Sequence, residues 1–266
     1  MLFFELSLVL LFAFFLSVLA SFFSVVISRT VKEESFINGR SKCDYCHKKI
    51  AWFDNIPIFS FLLIKGKCRH CHKKIPKIYF LAEILAFLFG IAFYLLYIYF
   101  PILQSLPIWQ LVIYFLIVFI LLFALLADLK YLIVPDFFVL LLSVLAIFLH
   151  VIIGRPWLLP TVAVIFSTTF FYSLSFLAKR ILKKDALGLG DIKLMIPLSF
   201  LLSWPKTVLS IFLAFIIGGI FAMLMLIIGR KKFGQALPFA PFLILAAFIS
   251  FGFGEAIWQW YFGLLF

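Results

Sequence analysis

Long apolar runs alternate with short polar interruptions along this chain, and the length of each run limits what it can fold into. Leu2 to Ile27, Ile78 to Phe100, Ile108 to Ala127, Phe137 to Ile153, Trp157 to Ala178, Thr207 to Ile228 and Leu237 to Phe266 are the long runs. At about 1.5 Å of rise per helical residue, each crosses or nearly crosses a hydrocarbon layer of about 30 Å. An eighth run, Asp191 to Ser203, has only 13 residues, and as a helix it covers about 20 Å. It must recruit the Gly-Leu-Gly before it, or lie beside a thinned or wet region. The pattern predicts an all-α, polytopic membrane bundle of about eight transmembrane segments. Residues 1–28 read as the first transmembrane helix, 29–77 as the one sizeable polar loop, and 78–266 as the membrane-embedded remainder. No internal repeat is expected, and Gly252 and Gly254 are expected to break the last run. The first run lacks a basic leading region and a small-residue cleavage site, so it reads as a retained helix rather than a signal peptide.

Composition agrees with the pattern. Of 266 residues, 66% are hydrophobic and only 13% charged, which excludes a soluble domain of ordinary make-up. The formal charge of +12 would suit nucleic acid if it formed one patch. Instead it follows the loops. With the 29–77 loop on the cytoplasmic side and the runs alternating, 21 of the 23 lysines and arginines fall on that side, and only Arg155 and Lys206 fall outside. The charge is therefore a topology signal and a face for anionic lipid, with no nucleic acid implied. The same topology puts Asp128, Asp136 and Asp191 on the cytoplasmic side.

Two features carry chemistry. Cys43-x-x-Cys46 and Cys68-x-x-Cys71 lie 21 residues apart in the basic loop, a spacing that can bring four thiolates to one tetrahedral ion, usually zinc. Two disulfides are the alternative, and a reducing cytoplasmic setting disfavours them. His47, His70 and His72 are neighbours rather than ligands, because four cysteines fill the coordination sphere. The expected zinc is structural, a cross-link for a loop too short to build a core. The second feature is a pair of carboxylates at apolar boundaries, where charge is costly. Asp191 follows Gly188-Leu-Gly190, and Asp128 ends another run. Brought together they would make an aspartyl hydrolase site, one carboxyl protonated and the other activating water. A helix cap for Asp191, a solvated boundary position beside Lys130 for Asp128, and an N-cap for Asp136 are the structural alternatives. If Asp128 and Asp191 do pair, the helix ends they occupy make Asp191 the expected base and Asp128 the acid.

Several stretches together resemble the type IV prepilin peptidases. Ser21-Phe-Phe-Ser-Val-Val-Ile-Ser-Arg29 is similar to the end of that family's first helix. The cysteine loop is carried by Cys43 to Cys46, Asn55-Ile-Pro57, Ser60, Gly66 to Cys71 and Tyr79 through Glu83. Asp128-Leu-Lys-Tyr-Leu-Ile-Val-Pro135-Asp136 and Gly188-Leu-Gly190-Asp191-Ile-Lys193 resemble its two aspartate motifs. Leu237-Pro-Phe-Ala-Pro-Phe242 resembles its late Pro-Phe-Gly-Pro-Phe segment, with Ala240 in place of the usual glycine. The resemblance implies catalytic Asp128 and Asp191, zinc at Cys43, Cys46, Cys68 and Cys71, and a location in the cytoplasmic (inner) membrane. It also implies cleavage of the short basic leader of a type IV prepilin or pseudopilin after a glycine. In many members N-methylation of the new terminus follows, with S-adenosylmethionine as donor. The rivals are a hydrolase without methylation, a metal-bearing membrane adaptor, and a transporter. The last two leave the Gly-Leu-Gly-Asp stretch or the cysteine loop without a use.

Overall fold

The computed structural model describes residues 2–35, 40–43, 45–182, 188–229 and 237–263. They form α1 (Leu2–Val31), α2 (Phe59–Leu63), α3 (Lys77–Tyr99), α4 (Pro101–Gln104), α5 (Ile108–Tyr131), α6 (Asp136–Ile153), α7 (Leu158–Leu182), α8 (Leu189–Leu202), α9 (Lys206–Ile227) and α10 (Ala240–Gly263). Among the described residues the only β-pairing is two isolated antiparallel bridges, both in the cysteine loop. Seven helices (α1, α3, α5, α6, α7, α9 and α10) are long and apolar enough to cross a membrane. The chain is a multi-pass membrane protein of helices. The expected short segment is α8, with 14 residues.

The chain packs as two compact units, Met1–Phe115 and Leu116–Phe266. In the first, α1 lies along α3. They come close at Gly90, where a Cβ would fall 2.9 Å from Ala13 Cα. Without a hydrophobic drive between helices in lipid, such small-residue contacts and van der Waals packing hold the pair. Phe12, Phe89 and Phe93 gather round Phe115, with ring centroids 5.2, 4.8 and 4.2 Å from it. The loop is tied down by Glu83, buried in α3, which accepts the Ile58 main-chain N–H at 2.8 Å. Ile58 precedes α2 in a left-handed turn with φ of 64°. That conformation is unfavourable for a β-branched residue, and the bond to Glu83 helps hold it.

In the second unit α8 is the core element. It packs against α7, α6 and α10, and Leu194, Met195, Leu198 and Leu202 are buried. Its Ser199 hydroxyl donates to Ser167 Oγ at 2.8 Å, so a buried polar atom is satisfied inside the bundle. One end of the unit carries Lys206 paired to Glu255 at 2.8 Å. Neighbouring helices cover much of α8, while Leu189 and Ile196 stay exposed. The Gly-Leu-Gly is recruited only in part, since α8 starts at Leu189.

Two boundaries differ from the sequence reading. The first aspartate motif is not all turn: α5 continues to Tyr131, so Asp128 sits in its last turn and only 132–135 form the loop. Moreover, α10 runs unbroken through Gly252 and Gly254. Away from water a helix keeps its internal hydrogen bonds, because nothing competes for them, and glycine loses its power to break it.

Candidate functional site

In the second unit the sequence places carboxylates at three helix ends, and the fold gives each a different partner. Asp128 is 5% exposed and Asp191 8%. The α5 helix ends when Leu132, at φ of 56°, donates its N–H to the Asp128 carbonyl at 2.9 Å. The Asp128 side chain instead accepts the Ala240 N–H at 3.1 Å through Oδ2. That same Ala240 amide also acts electrostatically on the Asp191 carboxylate, and the two carboxylates feel each other's charge. Both acids therefore face one main-chain donor at the start of α10.

The structural alternatives can now be judged. Gly188 occupies the cap position of α8. Asp191 is three residues on, with its carboxylate beside Gly188 and its own N–H donating to the Gly188 carbonyl at 3.1 Å. That is a capping-box position, but its carboxylate also faces Asp128. Lys130 does not neutralise this end, because its ammonium lies over the Tyr131 ring, 4.8 Å from the centroid. Asp136 is not an N-cap. Pro135 holds that position, and Asp136 takes the Lys193 ammonium at 2.8 and 2.9 Å through its two oxygens. This exposed pair joins the starts of α6 and α8. Both carboxylates are withdrawn from water, and a pair so placed titrates jointly.

Close contact sets the spacing. A Cβ on Gly190 would lie 3.2 Å from Val134 Cβ and 3.4 Å from its main-chain nitrogen. Glycine lets the 132–135 loop rest on the first turn of α8. The Ala240 amide is the contributor that sequence reasoning missed. The Pro-Phe-Ala-Pro-Phe segment marked the place, but a main-chain N–H leaves no trace in residue type.

In the first unit the four cysteines come together, their sulfurs all within 4.8 Å of one another, and Cys43 Sγ lies 3.8 Å from Cys71 Sγ. Four thiolates each about 2.3 Å from one zinc ion would sit about 3.8 Å apart. The donor set fits zinc, and the cluster could bind such a metal.

Two matching knuckles build this cluster, a repeat that the sequence reading did not find. Lys42-Cys-Asp-Tyr-Cys-His-Lys-Lys-Ile50 corresponds to Lys67-Cys-Arg-His-Cys-His-Lys-Lys-Ile75. Cys43 N–H donates to the Lys48 carbonyl and Cys68 N–H to the Lys73 carbonyl, both at 3.0 Å. Bridges pair Lys42 with Lys49 and Lys67 with Lys74. His47 and His72 both have φ of 55°, so these histidines are turn formers. Main-chain hydrogen bonds from Cys71 and His70 draw the Cys68 thiol down to about 7, while desolvation and the neighbouring thiols push the Cys71 thiol up to about 11, so one thiolate forms at the expense of the next until a metal takes all four.

Beside the cluster is a cavity of about 550 Å³, walled by α1, the loop and the start of α3. Nine lysines and arginines and three carboxylates line it.

The chain matches two family models. Residues 14–100 match the bacterial peptidase A24 N-terminal domain and residues 115–223 the type IV leader peptidase family. Among curated proteins it is similar to the prepilin leader peptidase/N-methyltransferase of Aeromonas salmonicida, 26% identical over 223 residues, 84% of this chain and 74% of that one. It resembles the protein of that name from Stutzerimonas stutzeri at 27% over 230 residues, 82% and 73% of the two chains. With that from Bacillus subtilis it shares 28% over 252 residues, 92% and 94%. No solved structure matches.

Proposed function

Since the chain belongs to the type IV leader peptidase family, a family of proteases, we propose that it cleaves the leader of a type IV prepilin or pseudopilin by aspartic catalysis with Asp128 and Asp191. The observation that carries this reading is the pair of buried carboxylates, close enough to feel each other's charge, with Asp128 held by the Ala240 amide. One carboxylate takes a proton from water, and the water oxygen attacks the scissile carbonyl carbon. The other, protonated, carboxyl gives its proton to the leaving nitrogen. The C–N bond breaks, releasing the leader as an acid and the mature chain as an amine. The amide steadies the pair without joining the reaction. Lysine and arginine bias favours the cytoplasmic face of the inner membrane for this site, with the peptidase machinery inside 78–266.

The 29–77 loop is the metal-binding element in this reading, with zinc on Cys43, Cys46, Cys68 and Cys71. Its metal acts as a cross-link, since the carboxylates belong to the other compact unit. The relatives' names add N-methylation, and we extend it to this chain, with S-adenosylmethionine as donor. The cavity beside the cysteines does not fit that donor. Its excess of cations opposes a sulfonium.

The test is leader release from a prepilin peptide in detergent, at matched protein levels. Asp128→Asn and Asp191→Asn should each lose nearly all cleavage, because an amide cannot carry the proton. Asp136→Asn should stay within a few-fold of wild type, since an exposed ion pair contributes about 0–1 kcal/mol. Full activity in Asp128→Asn, with loss in Asp136→Asn, would move the catalytic pair.

A further inference from the structure

The cavity in the first unit is unused by leader cleavage, and its walls describe a ligand. Its volume is in the range of small-molecule sites, about 300–1,000 Å³. It extends along α1 from Ser21 to Arg29, roughly 12 Å of helix, and on to Lys32, and so reaches from inside a spanning segment to the basic loop beyond it. Tyr79 and Glu83 line it from the first turns of α3. The Glu83 charge already receives the Ile58 N–H, and Asp54 is paired with Arg69 at 2.8 Å. Even a zinc tetrathiolate of charge about −2 on the cysteines leaves the walls with more cations than anions.

The scaffold also forces like charges together. Lys42 and Lys49 face each other across an antiparallel bridge, and both line the cavity. Like charges directly opposite on paired strands destabilise the pairing. An anion between them would turn that repulsion into attraction. At the end of two membrane-spanning helices, the anion at hand is a lipid phosphate, and basic pockets at this depth hold acidic headgroups.

We propose that this cavity is a binding site for a phosphate-bearing anion, supplied by the headgroup of an acidic membrane phospholipid and gripped by Arg40, Lys42 and Lys49. This inference does not depend on the peptidase reading.

The experiment is titration calorimetry on the full chain in a neutral detergent. The probes are short-chain phosphatidylglycerol, short-chain phosphatidylcholine and inorganic phosphate. Phosphatidylglycerol should bind, weaken as salt rises, and outbind phosphatidylcholine by at least about tenfold. The triple change Arg40→Gln, Lys42→Gln, Lys49→Gln should weaken it about tenfold or more. Lys65→Gln with Lys77→Gln, in the same region but not lining the cavity, should leave it unchanged. Displacement of the lipid by inorganic phosphate would support a seat for the phosphate itself, from either source. Failure to displace it would support the lipid as the sole source. Equal binding of the two lipids, or no salt dependence, would overturn the proposal from the wild type alone, whatever the variants' stability. Wild-type affinity in the folded triple variant would also overturn it.

Discussion

Gly190 shows how much a single missing side chain decides at the carboxylate end of the second unit. A methyl there would press on Val134, in the loop that leaves Asp128's helix, and the two aspartates would move apart or twist. Positional errors near 1 Å can cost catalysis about a hundredfold. Gly190→Ala should therefore lower leader cleavage by about tenfold to a hundredfold, while the thermal midpoint falls by only a few degrees. Initial rates beside a melting curve measure both, and a wild-type rate would remove Gly190 from the positioning of the pair. The two acids and the glycines were legible in the sequence because charge beside an apolar run is conspicuous. Two partners were not. The Ala240 N–H belongs to the main chain, and the Lys193 partner of Asp136 is 57 residues away, on a different helix.

At the scale of elements, the spanning helices could be read from hydropathy alone, since their length is set by the bilayer. Their ends could not. The α5 helix extends past the apolar run because its last turn, through Tyr131, keeps its main-chain bonds whatever its side chains. The repeat of the cysteine knuckles was hidden by the differing residues between the cysteines, Asp44-Tyr45 against Arg69-His70. It became plain from the matching turns at His47 and His72. Each knuckle supplies two of the four sulfurs, so removing one thiol unbalances the whole cluster. Cys43→Ser should lower bound metal well below one equivalent and make the 29–77 loop easier to proteolyse, with leader cleavage retained in part. Elemental analysis of the reduced, purified protein checks this. Metal-free wild type would refute the zinc assignment.

For the molecule as a whole, Arg155 and Lys206 act together on Glu255. These are the two cations that the lysine and arginine bias leaves outside. Cysteines introduced at 155 and 206 should react with an impermeant reagent from the outer face, and one at 130 only after the membrane is opened. Labelling of 155 from the cytoplasm alone would reverse the topology. A last consequence comes from α8. With 14 residues, including Asp191, Lys193 and Pro197, it is too short and too polar to be recognised by itself as a spanning segment when the chain enters the bilayer. Its neighbours must carry it in, and α10, which packs on it and brings the Ala240 amide, is made after it. A nascent chain stalled before residue 240 therefore holds both acids but not the amide that Asp128 accepts. Truncation in that stretch should leave an inserted protein that releases no leader.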